Sequence, residues 1–195
     1  MRTYVTIVSG MPRSGTSLMM RMLDAGGIPA LTDGIRAADL HNPHGYFEDE
    51  RARRLARDSA WIEEGRGKAV KIIYRLLPHL PSTHDYRILF MVRDLNEIYA
   101  SQQDMLKARN DPAAAQDRSM IHVLSQELAA ARKWLGMQPN VRYLPVAYAA
   151  LIGEPSSTIS QIVQFLDGGL DEQAMARVID PALYRHRSHP QLGND

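Results

Sequence analysis

Short apolar runs and amphipathic stretches alternate along most of the chain. Runs of about four to six apolar residues bounded by turn residues predict buried strands. They occur at residues 4–8, 69–73, 87–92 and 141–146, and a fifth, shorter strand is predicted at 28–31. The run RILFMV, residues 87–92, is the clearest of these predicted strands.

Apolar residues at helical spacing predict helices between these strands. The first helix follows the first strand and ends at the glycine pair 26–27, and further helices are predicted at 48–64, 95–109, 113–135 and 155–166. The helix 113–135 carries an apolar stripe of Met120, Val123, Leu124, Leu128, Ala131 and Leu135. Residues 32–47 hold turn residues and are predicted to be a long loop. Strands that alternate with helices predict an α/β fold with a parallel sheet covered on both faces.

Composition narrows the class of protein. The 195 residues fit a single domain, which we take as 1–195, and the polar end at 181–195 is a candidate flexible tail. The 23 Lys and Arg nearly balance the 22 Asp and Glu, which gives a net charge of +1 and argues against a broad nucleic-acid footprint. The absence of cysteine excludes disulfides and thiolate metal sites.

Neither a signal-peptide pattern nor an apolar run of membrane-spanning length is present, so we expect a cytoplasmic protein with no membrane partner. Oligomeric state is not readable from the sequence.

The segment SGMPRSGTS, residues 9–17, lies between the first predicted strand and helix. A strand, a turn of small residues and a helix N-terminus direct backbone N–H groups and the positive helix end to one point, which binds an anion. Gly10 and Gly15 have the spacing of a nucleotide phosphate-binding loop. However, the usual lysine after the second glycine is missing, and the cation is Arg13. A magnesium-nucleotide enzyme needs that lysine and usually a metal-holding aspartate, whereas the only strand-end aspartate here is Asp94. We therefore predict a phosphate site that uses no metal.

These residues resemble the sulfotransferases that use 3′-phosphoadenosine 5′-phosphosulfate (PAPS). GMPRSGTSLMMRML is similar to their 5′-phosphosulfate loop, and RILFMVRDLNEIYAS to their 3′-phosphate segment. NPHGYFED and VAYAALIGEPSSTISQIVQFLDG resemble further blocks of the bacterial and carbohydrate-type branches. The resemblance implies a P-loop-like three-layer sandwich, with a central parallel sheet flanked by helices. It also implies metal-independent, in-line transfer of a sulfuryl group from PAPS to a hydroxyl or amine, with adenosine 3′,5′-bisphosphate (PAP) as product.

The resemblance also implies which residues bind the donor. The 5′-phosphosulfate would be held by loop residues Arg13, Ser14, Gly15, Thr16 and Ser17. Arg93, at the end of a predicted strand, would pair with the 3′-phosphate, for which the fork of an arginine is well suited. Ser101, two helical turns further on, would add a hydroxyl donor. Arg185 and Arg187 are candidate cations over the nucleotide, although no glycine-flanked motif supports them.

The transfer needs cations near the leaving oxygen and a base for the acceptor proton. Arg13 would serve the leaving side, and Lys71 in AVKII is similar to a family lysine that faces the transferring group. The base stays open, because relatives use His or Glu at different places. Glu48 is our prediction, since the block NPHGYFED centres on its Phe-Glu pair, and His44 is the second choice. The acceptor would be a small molecule or a carbohydrate.

Two other classes of protein remain open from the sequence. A divergent P-loop kinase or nucleoside-triphosphatase would bind Mg-ATP and would need a metal-holding aspartate. A non-catalytic relative would bind the nucleotide but catalyse no reaction. This alternative stays open because the sequence does not identify the general base.

Overall fold

The computed structural model describes residues 2–39, 42–108 and 120–184. In this part of the chain, five parallel strands form one sheet in the order β2-β3-β1-β4-β5. The strands are β1 (Val5–Gly10), β2 (Ala30–Leu31), β3 (Ala69–Lys71), β4 (Tyr86–Val92) and β5 (Val141–Ala147). All five lie where the apolar runs predicted strands.

Helices cover both faces of the sheet. They are α1 (Thr16–Ala25), α2 (Leu95–Ala108), α3 (Met120–Met137), α4 (Tyr148–Gly153), α5 (Pro155–Phe165) and α6 (Glu172–Arg177). Short 3₁₀ helices occur at Glu50–Arg54, Ala60–Gly65, Tyr74–His79 and Pro181–Leu183. The predicted α/β fold with helices flanking a central parallel sheet is confirmed. None of the described helices has both the length and the apolar character that crossing a membrane requires.

Alternate residues of the strands point into two separate apolar cores. Val8 and Leu89 pack with α1, α5 and α6 on one face of the sheet. Ile7 and Ile88, each one position earlier, pack with α2, α3 and the 3₁₀ helices on the other. Burial on both faces explains why the strands read as continuous apolar runs in the sequence.

The predicted helix at 48–64 is wrong. Two 3₁₀ helices form there, because short polar side chains bind nearby backbone N–H groups and compete with a continuous helix. Asp49 accepts from the N–H of Arg51 at 3.0 Å, and Asp58 accepts from the N–H of Ala60 at 3.1 Å.

The apolar stripe of α3 is confirmed only in part. Leu135 is buried and Leu124 packs against the core, but Val123 is 44% exposed and does not belong to the buried face. Residues 113–119 of the predicted helix lie outside the described residues, as does residue 109 at the end of the helix predicted at 95–109.

The sheet order brings three chain segments to one edge. β1 pairs with β3 on one side and with β4 on the other, so their carboxyl ends lie side by side. Gly10 is in register with Met91, and Val8 with Lys71. In open α/β sheets, ligands bind at this edge, beyond the carboxyl ends of the strands.

Candidate active site

The loop between β1 and α1 is held in a backbone conformation that requires glycine. Gly10 and Gly15 have φ values of 142° and 100°. A Cβ on Gly10 would lie 2.8 Å from the carbonyl oxygen of Met91, and one on Gly15 would lie 2.5 Å from the ring of Tyr148. The two glycines therefore let the loop pack directly against β4 and α4.

Hydrogen bonds inside the loop leave the start of α1 open. Ser14 is buried, and its hydroxyl and N–H both donate to the carbonyl oxygen of Met11, at 2.7 and 3.1 Å. Gly15 is the N-cap of α1 and has no side chain to cap the helix. The first-turn N–H groups and the positive helix end are thus suited to an anion.

Arg13 links the loop to the two residues predicted for the 3′-phosphate. Its Nε donates to Ser101 Oγ at 3.0 Å, and its carbonyl oxygen accepts from Arg93 Nη1 at 3.0 Å. Its φ of 73° is unusual for a residue other than glycine. Burial is the main cause that lowers the pKa of Arg13, and the nearby charge of Arg93 lowers it further. Two positive side chains that act on each other in this way favour an anion nearby.

Lys71 ends β3 and lies below the loop. Its side chain is 8% exposed, and Nζ donates to the carbonyl oxygen of Tyr46 at 2.9 Å, to Ser17 Oγ at 3.2 Å and to Glu48 Oε1 at 3.3 Å. Burial lowers the pKa of Lys71, while Glu48 acts against this shift. The contact with Ser17 places the ammonium group beside the candidate anion site.

Glu48 is bound by two cations. Nη1 of Arg36 donates to both carboxylate oxygens, at 3.0 and 2.9 Å, and Lys71 binds one of them. The guanidinium carbon of Arg36 lies 3.3 Å from the centroid of the Tyr46 ring. Burial by itself would raise the pKa of Glu48, but Lys71 and Arg36 outweigh it and lower the pKa below its ordinary value. Glu48 is therefore ionised in this arrangement.

The predicted site residues come together around one cavity of about 460 Å³. Those that line it are Arg13, Gly15, Thr16, Ser17, His44, Glu48, Lys71, Arg93 and Ser101. Ser14 is buried in the loop, and His44 is exposed at the cavity. Arg185 and Arg187 lie outside the described residues. Among the residues that are described, no group of three or more His, Asp and Glu could hold a metal ion.

Several residues of the site were missed in the sequence analysis. Asn42 donates to Ser17 Oγ at 3.0 Å, and Glu97 accepts from Arg93 Nε at 2.9 Å. Arg93 lies just before α2 and Glu97 in its first turn, so the short spacing between opposite charges was the available signal for this pair. No pattern singled out Arg36, because it lies in the predicted loop.

Comparison with known families gives one match that covers most of the chain. Residues 5–191 match the model described as the sulfotransferase domain. Comparison with curated protein sequences gave no match.

Solved structures of sulfotransferases share the fold at low sequence identity. A sulfotransferase from Mycobacterium avium, STF9, is 16% identical with a TM-score of 0.53 over 91% of this chain and 67% of its own. The sulfotransferase domain from the curacin biosynthetic pathway is 13% identical with a TM-score of 0.53 over 97% and 85%. Mouse sulfotransferase SULT7A1, solved with PAP, is 18% identical with a TM-score of 0.50 over 90% and 62%. The chain thus spans less than two thirds of the mouse enzyme.

Proposed function

We propose, because the chain belongs to the sulfotransferase domain family, that it transfers a sulfuryl group from PAPS to a hydroxyl or amine of a small-molecule or carbohydrate acceptor. The donor would supply an activated sulfuryl group, and the transfer would be in line and independent of metal. The chain's own residues would bind the donor, neutralise its charge and remove the acceptor proton.

The convergence of Arg13, Arg93 and Ser101 on one wall of the cavity carries this proposal. Arg13 and the first N–H groups of α1 would bind the 5′-phosphosulfate, and Arg93 with Ser101 the 3′-phosphate. The residues fit a nucleotide with anionic groups at both ends, since cations, hydroxyl donors and an open helix N-terminus meet there.

Lys71 would stabilise the negative charge of the transferring group. Its ammonium group is 3.2 Å from the hydroxyl of Ser17, and so lies next to the proposed phosphosulfate site. A buried cation acts on developing charge with little screening by water, which strengthens its effect on the transition state.

Glu48 is the proposed general base, with His44 as the second candidate. A base works best with a pKa near the operating pH, whereas Arg36 and Lys71 lower the pKa of Glu48. Displacement of one of these cations from the carboxylate by the acceptor would raise the pKa of Glu48 and favour proton removal. His44, exposed at the same cavity, would not need such an exchange.

Thermal unfolding with PAP and with Mg-ATP, each in a separate sample, tests the proposal. A ligand at 100 times its dissociation constant adds about 2.7 kcal/mol of stability. We expect PAP to raise the melting temperature without added metal and with EDTA present. Stabilisation by Mg-ATP alone would instead favour a kinase or nucleoside-triphosphatase.

Acceptor turnover separates an enzyme from a non-catalytic relative. Incubation with PAPS and a panel of alcohols, phenols, amines and sugars should yield a product that is heavier by one sulfuryl group in mass spectrometry. A chain that binds PAP tightly but never consumes PAPS with any of these acceptors would contradict the proposed activity.

A further inference from the structure

Tyr184, near the end of the described chain, contacts the buried ion pair that holds Arg93. Its hydroxyl donates to Glu97 Oε1 at 2.9 Å, while Arg93 Nε donates to Glu97 Oε2 at 2.9 Å. The side chains of Arg93 and Glu97 are only 8% and 6% exposed. A single carboxylate therefore connects the C-terminal segment to the guanidinium that we propose for the 3′-phosphate.

Two tyrosine rings form a corner around the same guanidinium. The rings of Tyr148 and Tyr184 meet edge to face, with centroids 5.0 Å apart and planes at 83°. The guanidinium carbon of Arg93 lies 4.7 Å from the Tyr148 centroid and 5.1 Å from the Tyr184 centroid. With Nε bound to Glu97 and Nη1 bound to the carbonyl of Arg13, the orientation of Arg93 is fixed before any ligand arrives.

The turn before Tyr184 is part of the cavity wall. Asp180 accepts from the N–H of Ala182 at 2.9 Å and begins the 3₁₀ helix Pro181–Leu183, which positions Tyr184. Asp180 and Leu183 both line the 460 Å³ cavity. The contact between Tyr184 and Glu97 thus lies beside the donor site.

We propose that Tyr184 and Glu97 determine the specificity of the donor site for nucleotides that carry a 3′-phosphate. Tyr184 fixes one oxygen of Glu97, the other oxygen fixes Arg93, and the fixed guanidinium binds the 3′-phosphate. Both are positioning residues that act through Arg93. This inference rests on the proposed function, in which Arg93 binds that phosphate.

The hydroxyl of Tyr184 is the part that matters for this role. Burial and the bond to Glu97 raise the pKa of Tyr184 to about 12, so the hydroxyl remains a donor at neutral pH. Without it, the carboxylate of Glu97 loses one hydrogen bond and can turn towards Arg93, where it competes with the phosphate for the N–H groups. The loss of a hydrogen bond to a charged group changes an equilibrium constant roughly tenfold or more. Preorganised groups bind more tightly because less freedom is lost on binding.

Tyr184→Phe tests the inference, since it removes the hydroxyl and keeps both the ring and the site's net charge. Calorimetry would measure the dissociation constants of PAP and AMP, which differ only in the 3′-phosphate. We expect Tyr184→Phe to weaken PAP about tenfold and AMP much less, so the preference for PAP falls about tenfold. The KM for PAPS should rise by a similar factor with kcat retained.

Two further variants make the test specific. Tyr143→Phe is the matched control, because Tyr143 packs in the opposite core and its hydroxyl makes no hydrogen bond with the described residues. It should leave both dissociation constants unchanged. Glu97→Asp keeps the charge but retracts the carboxylate by one methylene, and it should also reduce the preference for PAP. It keeps the inference testable if Tyr184→Phe folds poorly.

The outcomes separate this inference from the proposed function. If the unmodified protein does not bind PAP, both are wrong. If it binds PAP but Tyr184→Phe and Glu97→Asp leave the preference over AMP unchanged, or weaken both nucleotides equally, only the specificity role is wrong.

Discussion

Nη1 of Arg93 donates to the carbonyl oxygen of Arg13 at 3.0 Å, although the two residues are 80 positions apart in the chain. The bond joins the end of β4 to the loop after β1. It also holds Arg13 in its left-handed conformation, with its side chain directed to Ser101. Arg93 therefore supports the backbone of Arg13 and so positions the Arg13 side chain.

Arg93→Lys should weaken PAP binding about tenfold while the protein stays folded. Lysine keeps the positive charge but lacks the planar fork that binds Glu97 and the Arg13 carbonyl together. Calorimetric titration with PAP measures the change. Arg132→Lys on the exposed side of α3 is the control and should bind PAP as the unmodified protein does. Unaltered affinity in Arg93→Lys would show that the fork is not needed.

Gly15→Ala should destabilise the protein by about 1–3 kcal/mol or more, because the residue has φ 100° and its Cβ would collide with Tyr148. Gly136→Ala is the matched control, since Gly136 lies within α3 with open space around its Cβ. There alanine should stabilise by about 0.5–1 kcal/mol. Urea unfolding of both variants gives the comparison, and equal stabilities would contradict the close packing of the loop.

Lys71→Met should lower kcat about 10²–10³-fold, the range seen when one group that stabilises transition-state charge is removed. Methionine has a similar length and tolerates burial, so the fold should be kept. Steady-state kinetics with an active acceptor measures the loss. Lys133→Met on the exposed face of α3 should retain full activity. A kcat within a factor of two of the original would mean that Lys71 does not stabilise the transferring group.

The pairing of Glu48 predicts a pH dependence of stability. Its pKa is lowered in the folded protein, so its contribution is complete above the unfolded pKa of about 4.3 and is lost as pH falls through the lower folded value. The stability difference between the unmodified protein and Glu48→Gln should therefore be constant from pH 6 to 7 and shrink towards pH 3. Urea unfolding across this range measures it. A difference that grows on acidification would mean that the pKa is raised instead.

Arg36→Gln should shift the acid limb of the kcat/KM profile to higher pH if Glu48 is the base. Removal of one cation raises the pKa of the carboxylate, so it becomes protonated at a higher pH. Arg54→Gln, in which an exposed arginine that does not line the cavity is changed, should leave the profile in place. An acid limb that does not move in Arg36→Gln would point to His44 or another group.

The strand–loop–helix pattern predicted the anion-binding loop, and the resemblance to the sulfotransferases singled out Arg93 and Lys71. The glycines of the β1–α1 loop, the arginine after β4 and the lysine that ends β3 all follow apolar runs, and parallel strands bring their carboxyl ends to one edge. The strand positions were predicted from the sequence, whereas the order of the strands in the sheet came from the structure. Glu97 could have been found too, since it is an acidic residue in the first turn of the helix that follows Arg93.

The surroundings of Glu48 were harder to predict because they depend on tertiary contacts of an irregular segment. Arg36 and Tyr46 lie in the predicted loop, where no periodicity indicates that a guanidinium stacks on the ring and binds Glu48. The stretch 48–64 was predicted as one helix from its charged residues, but Asp49 and Asp58 bind the backbone locally and divide it.

The central position of β1 separates the two halves of the site. On one flank, β4 and α2 carry Arg93 and Ser101; on the other, β3 carries Lys71, next to Glu48. In the proposed function, the residues that would bind the 3′-phosphate and those that would act on the transferring group therefore lie on opposite sides of β1. Substitutions on the β3 side would therefore leave the contacts of Arg93 and Ser101 in place.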